Sequence, residues 1–305
     1  MHTTTGSWRL GLALALLTAV LWSVLPIVLK LLLGQMDAYT IVWYRFLAAA
    51  VLLGAFQMRR KALPDVSSLG RNGWLLLAVA VAGLMGNFVL YMIGLNLVTP
   101  GAAQMVVQLA PVLLLIGGLV VFRERFSTLQ WLGFAVLIVG LSLFFNHRLE
   151  ELFQQRGRYA LGVLIVVAAA IAWAAYALAQ KQLLKQLDSE NIMLLIYVGG
   201  VFIFFPSADL GSVTSIDKLG AALLVFASLN TIFAYGAFAE ALDHWEASRV
   251  SAVLAITPML TLLWMWLLGP FINSISAEPL NALSLVGGAL VVGGSVLVST
   301  TGRQR

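Results

Sequence analysis

Arg45 lies inside the apolar run YTIVWYRFLAAAVLL, a stretch about as long as one membrane crossing. A guanidinium placed there can bind helix carbonyls and hold neighbouring segments together, or it can meet an anionic group such as a substrate carboxylate. We expect the structural role, because a fixed charge inside a membrane segment needs permanent partners. Other polar side chains recur at helical spacing. Asn87 and Tyr91 are four residues apart, as are Gln104 and Gln108, so each pair shows its polar groups on one helix face. Trp173, Tyr176 and Gln180 form a further stripe, and Trp22 with Pro26, Tyr235, Ser251 and Thr257 complete the residues suited to contact a small polar molecule. Such groups recognise by stacking and hydrogen bonding. Each also has a plainer reading as core packing or as interhelical glue worth ~0.6 kcal/mol per bond.

Enzyme chemistry has no foothold in this pattern. The chain has no cysteine, no HExxH, no paired aspartates within its apolar segments and no nucleophile beside a base. His2, His147 and His244 do not cluster as metal ligands, and no motif for a cofactor or for ATP is present. Glu240 is the one carboxylate that approaches an apolar segment; near its end, it is expected to be solvated or paired with Arg249, so exchange, facilitated flow and coupling through Glu240 all stay open.

The elements that must position these residues follow from composition. Charged residues are 10% of the 305 and hydrophobic ones 61%. That is too little charge to cover a soluble domain of this size, so the bilayer must be the solvent. The net charge of +5 is spread over short loops, which fits loop topology better than nucleic-acid binding. A span needs ~20 mostly apolar residues. Ten segments qualify, near 10–30, 38–57, 73–96, 100–122, 128–146, 159–181, 190–206, 218–241, 248–269 and 280–300. The first is too long for a signal sequence and no cleavage pattern follows it, so it is read as retained. No alternation of strand type appears, and backbone groups in lipid must be satisfied within the segment. The expected fold class is therefore an all-α integral membrane protein.

Basic residues set the orientation. One face carries twelve Lys and Arg, among them Arg59, Arg60, Lys61, Arg123, Arg125 and Arg303, and the other carries five. Both termini should therefore be cytoplasmic. Trp8, Trp74 and Trp131 sit at segment ends, where interfacial tryptophans belong, whereas Trp22 and Trp173 lie deep within theirs.

The chain repeats itself. AVLWSVLPIVLKLLLGQMD aligns with AIAWAAYALAQKQLLKQLD, pairing Trp22 with Trp173, Lys30 with Lys181 and Asp37 with Asp188 at a displacement of 151. VVQLAPVLLL aligns with VLAITPMLTL, pairing Pro111 with Pro258. RERFSTLQWLGFAVLIVG aligns with AEPLNALSLVGGALVVGG, pairing Glu124 with Glu278, Gly133 with Gly287 and Gly140 with Gly294. Five spans per unit is odd, so the second unit, 159–300, must enter the membrane inverted relative to the first, 10–146. Its outward-facing loops have lost their basic residues accordingly: FRERFS becomes ISAEPL. Inverted repeats place a cargo site near mid-bilayer between the halves. The prolines at matching depth would kink their helices there and free carbonyls one turn earlier. The residue that corresponds to Arg45 is Ile196, so the scaffold does not demand a charge in both halves. The glycine pairs spaced by seven are assigned to helix packing or dimerisation.

Ten spans in two halves, the RF at Arg45–Phe46, the AP and TP at Pro111 and Pro258, and RERFSTLQWLGFAVLIVG together resemble the EamA-type drug/metabolite transporters over nearly the whole chain. A departure is GPFINSI, seven residues that lengthen the turn before Glu278. The resemblance implies an inner-membrane carrier of small metabolites, often an exporter of amino acids or related compounds. Its partners would be the lipid bilayer and a small-molecule substrate, with the chain acting as monomer or homodimer. Importing or exchanging another small metabolite, and a non-transporting membrane subunit, remain alternatives.

Overall fold

The computed structural model describes residues 7–67, 69–110, 112–113, 116–117, 127–146, 157–244, 250, 253–272 and 280–299. Among the described residues the regular structure is helical, with no strand. In chain order the α-helices whose limits fall among the described residues are α1 (Trp8–Leu32), α2 (Ala38–Arg60), α3 (Arg71–Leu97), α4 (Pro100–Val107), α5 (Thr128–Phe144), α6 (Arg158–Leu183), α7 (Ser189–Phe204), α8 (Lys218–His244), α9 (Thr257–Leu268) and α10 (Ala282–Ser299). Six of them, α1, α2, α3, α6, α7 with the turn that extends it, and α8, have the length and apolarity to cross a membrane; α5, α9 and α10 are shorter apolar helices. Large apolar side chains also face outward, Phe202 and Trp266 each 73% exposed. Lipid, unlike water, accepts such a surface, and the chain is a multi-pass membrane protein.

The helix ends follow from local chemistry. Asp37 Oδ1 accepts the amides of Tyr39 and Thr40 at 2.9 and 3.0 Å and starts α2. Asp188 occupies the same position before α7. The α1–α2 corner is closed by the amides of Leu33, Gly34, Gln35 and Met36 bonding to the carbonyls of Leu29, Leu31, Leu32 and Leu32. Four bonds displaced by 151, from Leu184, Lys185, Gln186 and Leu187, close the α6–α7 corner. Ser127 opens α5 through a reciprocal capping box with Gln130, at 2.9 and 3.2 Å. Asn281 caps α10 by accepting the Ser284 amide at 2.7 Å.

Two segments differ from the continuous kinked helices expected for 100–122 and 248–269. α4 ends at Val107, and a turn occupies Gln108–Leu109, where the amides reach back only three residues, to Met105 and Val106. A turn at the aligned positions, Ala255–Ile256, precedes α9. The helix gives way before the proline rather than at it, since Pro lacks the N–H that would hold the preceding turn and crowds the residue before it. Pro111 itself lies outside the described residues.

Helix pairing is strongly patterned. α3 packs chiefly on α6, α1 on α8, α5 on α10 and α2 on α7, while α4 touches α6 and α9, and α9 touches α1. α5 and α10 run antiparallel with backbones in direct contact. A Cβ on Gly133 would strike Gly294, and one on Gly140 would strike Gly287. The glycines assigned to packing or dimerisation are thus spent within the chain, joining its two halves. Reciprocal amide bonds between Asn146 and Asn281, at 2.9 and 3.2 Å, fasten one end of that pair. Gly83 and Gly94 bring α3 as close to α6.

Candidate functional site

Pro26 sits inside α1 and cannot donate to the carbonyl of Trp22, four residues earlier. Gln104 Nε2, from α4, donates to that carbonyl at 2.9 Å. The flanking carbonyls are engaged as well: Asn230 Nδ2 of α8 bonds Leu21 O at 2.9 Å, and Thr261 Oγ1 of α9 bonds Ser23 O at 2.9 Å. Trp264 Nε1 adds a bond to Ser23 Oγ at 3.0 Å. One turn of α1, at Leu21–Ser23, is therefore the docking point of α4, α8 and α9. The Trp22 ring packs edge-on against Tyr235, centroids 5.3 Å apart, and against Phe238 at 5.6 Å.

Arg45 is 4% exposed. Its Nε donates to Thr231 Oγ1 of α8 at 3.0 Å, and its guanidinium carbon stands 4.7 Å from the centre of the Phe88 ring of α3. Among the described residues its hydrogen-bond partner is this hydroxyl, where helix carbonyls are expected from the sequence. The phenols of Tyr91, Tyr197 and Tyr235 lie within electrostatic reach of the charge, and Tyr235 is likewise within reach of Tyr176 and Tyr197. Tyr91 and Tyr235 are half-buried. Phe46 and Tyr197, displaced by 151, face each other across the α2–α7 contact with centroids 5.9 Å apart.

The structure thus gathers Arg45, Tyr91, Tyr176 and Tyr235 into one group from α2, α3, α6 and α8, and joins Trp22 to it through Tyr235. Trp173 stacks edge-on with Tyr176 at 6.5 Å, and Tyr176 bonds Gln180 and, at 3.3 Å, Met193 Sδ. Other candidates are engaged elsewhere. Asn87 Nδ2 ties α3 to Ala169 O of α6 at 2.9 Å. Gln108 Oε1 accepts Ser295 Oγ of α10 at 2.9 Å. Thr257 Oγ1 bonds Leu254 O at 2.6 Å across the turn before α9. Glu240 is 58% exposed and pairs with His244 Nε2 at 3.2 Å. Ser251 lies outside the described residues. Among the described residues no group of His, Asp or Glu could hold a metal ion.

Three members of the central group escaped the sequence reading: Phe88, Tyr197 and Thr231. The repeat register held a signal for one of them, since Tyr197 is the counterpart of Phe46 and adjoins Ile196, the counterpart of Arg45. Nothing local marked Phe88 or Thr231.

The sequence pattern of the EamA-like transporter family matches residues 9–146 and again residues 160–300. An uncharacterized inner membrane transporter, YhbE of Escherichia coli (strain K12), is 40% identical over 289 residues, covering 94% of this chain and 90% of its own. An uncharacterized transporter of Haemophilus influenzae is 38% identical over 289 residues and 94% of each chain. A more distant protein of Salmonella typhimurium, named "Probable amino-acid metabolite efflux pump", is 25% identical over 92% of each chain. One crystal structure aligns over 97% of this chain and 96% of its own, with a TM-score of 0.60 at 18% identity, a likeness of fold.

Proposed function

Because the chain belongs to the EamA-like transporter family, we propose that it is a secondary carrier of the inner membrane that exports a small polar metabolite, an amino acid or related compound, by alternating access. Its halves, 10–146 and 159–300, are five-helix repeats of opposite orientation, with both termini in the cytoplasm. The observation that carries this reading is the make-up of the centre. Arg45, Phe88 and Tyr91 of the first half meet Tyr176, Tyr197, Thr231 and Tyr235 of the second. A rocking motion between the halves would open and remake that group, which is how a mid-bilayer site is exposed to each side in turn.

Support for inversion comes from the pairing of counterpart helices. α5 runs antiparallel to α10, and α2 meets α7 in reverse order, with Trp43 bonding Val201 O while Gly54 lies against Leu194. The corner bonds displaced by 151 support the repeat itself. The exchanged contacts, α3 with α6 and α1 with α8, fit two units related by a two-fold axis in the membrane plane. Cytoplasmic termini rest on the distribution of Lys and Arg. The cargo class is supported by the name borne by the Salmonella typhimurium relative and by amide, phenol and indole groups around the centre.

Metabolite profiling of the medium from cells with and without the protein, followed by flux of the enriched compounds from proteoliposomes, tests the reading. Enrichment of one or a few polar metabolites, reproduced in liposomes, is expected. Liposomes that release no enriched compound faster than empty ones would refute it.

A further inference from the structure

We propose that Arg45 is the anchor for a carboxylate on the cargo, with Tyr91, Tyr197 and Tyr235 as the uncharged wall of that subsite. The inference rests on the carrier reading above and names the chemical class its site would take.

The argument begins with the donors of the guanidinium. Arginine has five N–H groups. One, at Nε, is given to Thr231 Oγ1, and Thr231 directs its own proton to Ala227 O at 2.9 Å, so its hydroxyl is fixed as an acceptor toward Arg45. The other four, on Nη1 and Nη2, meet no acceptor among the described residues. Nor are these nitrogens sealed: the buried side-chain atoms that lack both partner and accessible surface belong to Gln57 and Asn230. Arg45 therefore presents a bidentate fork of unspent donors, with the phenols of Tyr91, Tyr197 and Tyr235 within electrostatic reach of its charge.

Lys30 shows what a purely structural cation looks like in this protein. Its three N–H groups go to Leu95 O, Asn96 O and Val98 O at 2.6, 2.9 and 2.8 Å, so it closes the end of α3 with no donor left over. Arg45 is the opposite case, buried, held by one bond and a ring face, and left with its fork open. An orientation fixed by Thr231 and Phe88 is what recognition of a planar anion requires.

The surroundings select a singly charged group. Around Arg45 the electrostatic partners are phenols, with no second cation among the described residues. One guanidinium balances one negative charge. A phosphate dianion would bring an uncompensated charge into the protein centre. The phenol O–H groups of Tyr91 and Tyr235 can donate to carboxylate lone pairs that the guanidinium leaves free.

The test compares wild type with Arg45→Gln and Arg45→Lys. First, unfolding of the purified, cargo-free proteins is measured. Arg45→Gln is expected to be at least as stable as wild type, since it removes an uncompensated charge; a melting temperature lower by 10 °C or more would make Arg45 structural and overturn the inference. Second, the medium of cells producing each protein is profiled, and the leading exported compound is assayed in proteoliposomes beside its carboxamide. Wild type is expected to move the acid at least ten-fold faster than the amide, Arg45→Gln to reduce that ratio to near one, and Arg45→Lys to keep part of it. If wild type moves the compound and its amide equally well, or Arg45→Gln keeps the preference, the subsite is wrong while the carrier stands. If no compound is moved at all, the carrier reading falls and takes the subsite with it.

Discussion

The bond between Gln104 and the Trp22 carbonyl permits a test that separates a purposeful interaction from a neighbourly one. Proline at position 26 removes the helix donor that this carbonyl would otherwise have, and Gln104 Nε2 stands in its place at 2.9 Å. Gln104→Leu nearly conserves volume but orphans a carbonyl among packed helices, which should cost ~1–2 kcal/mol between the usual penalty for a buried unpaired group and the upper range for interhelical bonds in membranes. Pro26→Ala returns an N–H to position 26, and α1 can then satisfy the Trp22 carbonyl by itself. In that background Gln104→Leu should cost ~0.5 kcal/mol or less, giving a coupling energy of ~1 kcal/mol, outside the ~0.3–0.5 kcal/mol scatter expected of independent sites. The measurement is unfolding of wild type, both single variants and the double variant by SDS titration in mixed micelles. If Gln104→Leu costs the same in both backgrounds, the idea that Gln104 substitutes for the missing proline N–H is refuted.

Neighbouring glycines of α10 should respond in opposite ways. A Cβ at Gly294 would lie 2.6 Å from Leu137 N, whereas one at Gly293 meets nothing within 4 Å. In the same titration Gly294→Ala should therefore lose ~1–3 kcal/mol by overpacking, and Gly293→Ala should gain up to ~1 kcal/mol of helix propensity. Lys30→Met keeps the aliphatic stem but strips three donors from the end of α3, and a loss of ~1.5–3 kcal/mol is expected, partly recovered by Lys30→Arg. Trp22→Ala should lower flux of the exported compound in proteoliposomes several-fold without loss of folded protein; unchanged flux and affinity would remove Trp22 from the cargo path. Because the chain has no cysteine, single engineered thiols between α5 and α6 should react with impermeant reagents only from outside the cell. Labelling from the cytoplasm would dismiss the inverted arrangement.

Much of the scaffold was legible because its signals are local. Spans announce themselves by apolar length, and the described helices α1, α2, α3, α6, α7 and α8 begin and end within a few residues of the expected limits. Asp37 and Asp188 both stand at the position before a helix, and Asp37 caps its helix with its side chain. Part of the RERFSTLQW motif turned out to be the capping box of α5. The sequence predicts kinks at Pro111 and Pro258 rather than the turns before them, since a proline pattern says that a helix is weakened but not whether its neighbours will let it unwind.

The sequence by itself determined that this protein lives in a bilayer and which polar residues lie far from any helix end. Tertiary structure alone decided what those residues do. Whether Asn87 faces a ligand or the carbonyl of Ala169, whether Gly133 meets Gly294 or another molecule, and whether Arg45 finds carbonyls, a hydroxyl or a ring all depend on which distant helices become neighbours. Periodicity gives the face of a helix but not the partner opposite it. Here α1 lies on α8 and α3 on α6, contacts between segments far apart in the chain, and the choice of partner for every buried polar group follows from that pairing.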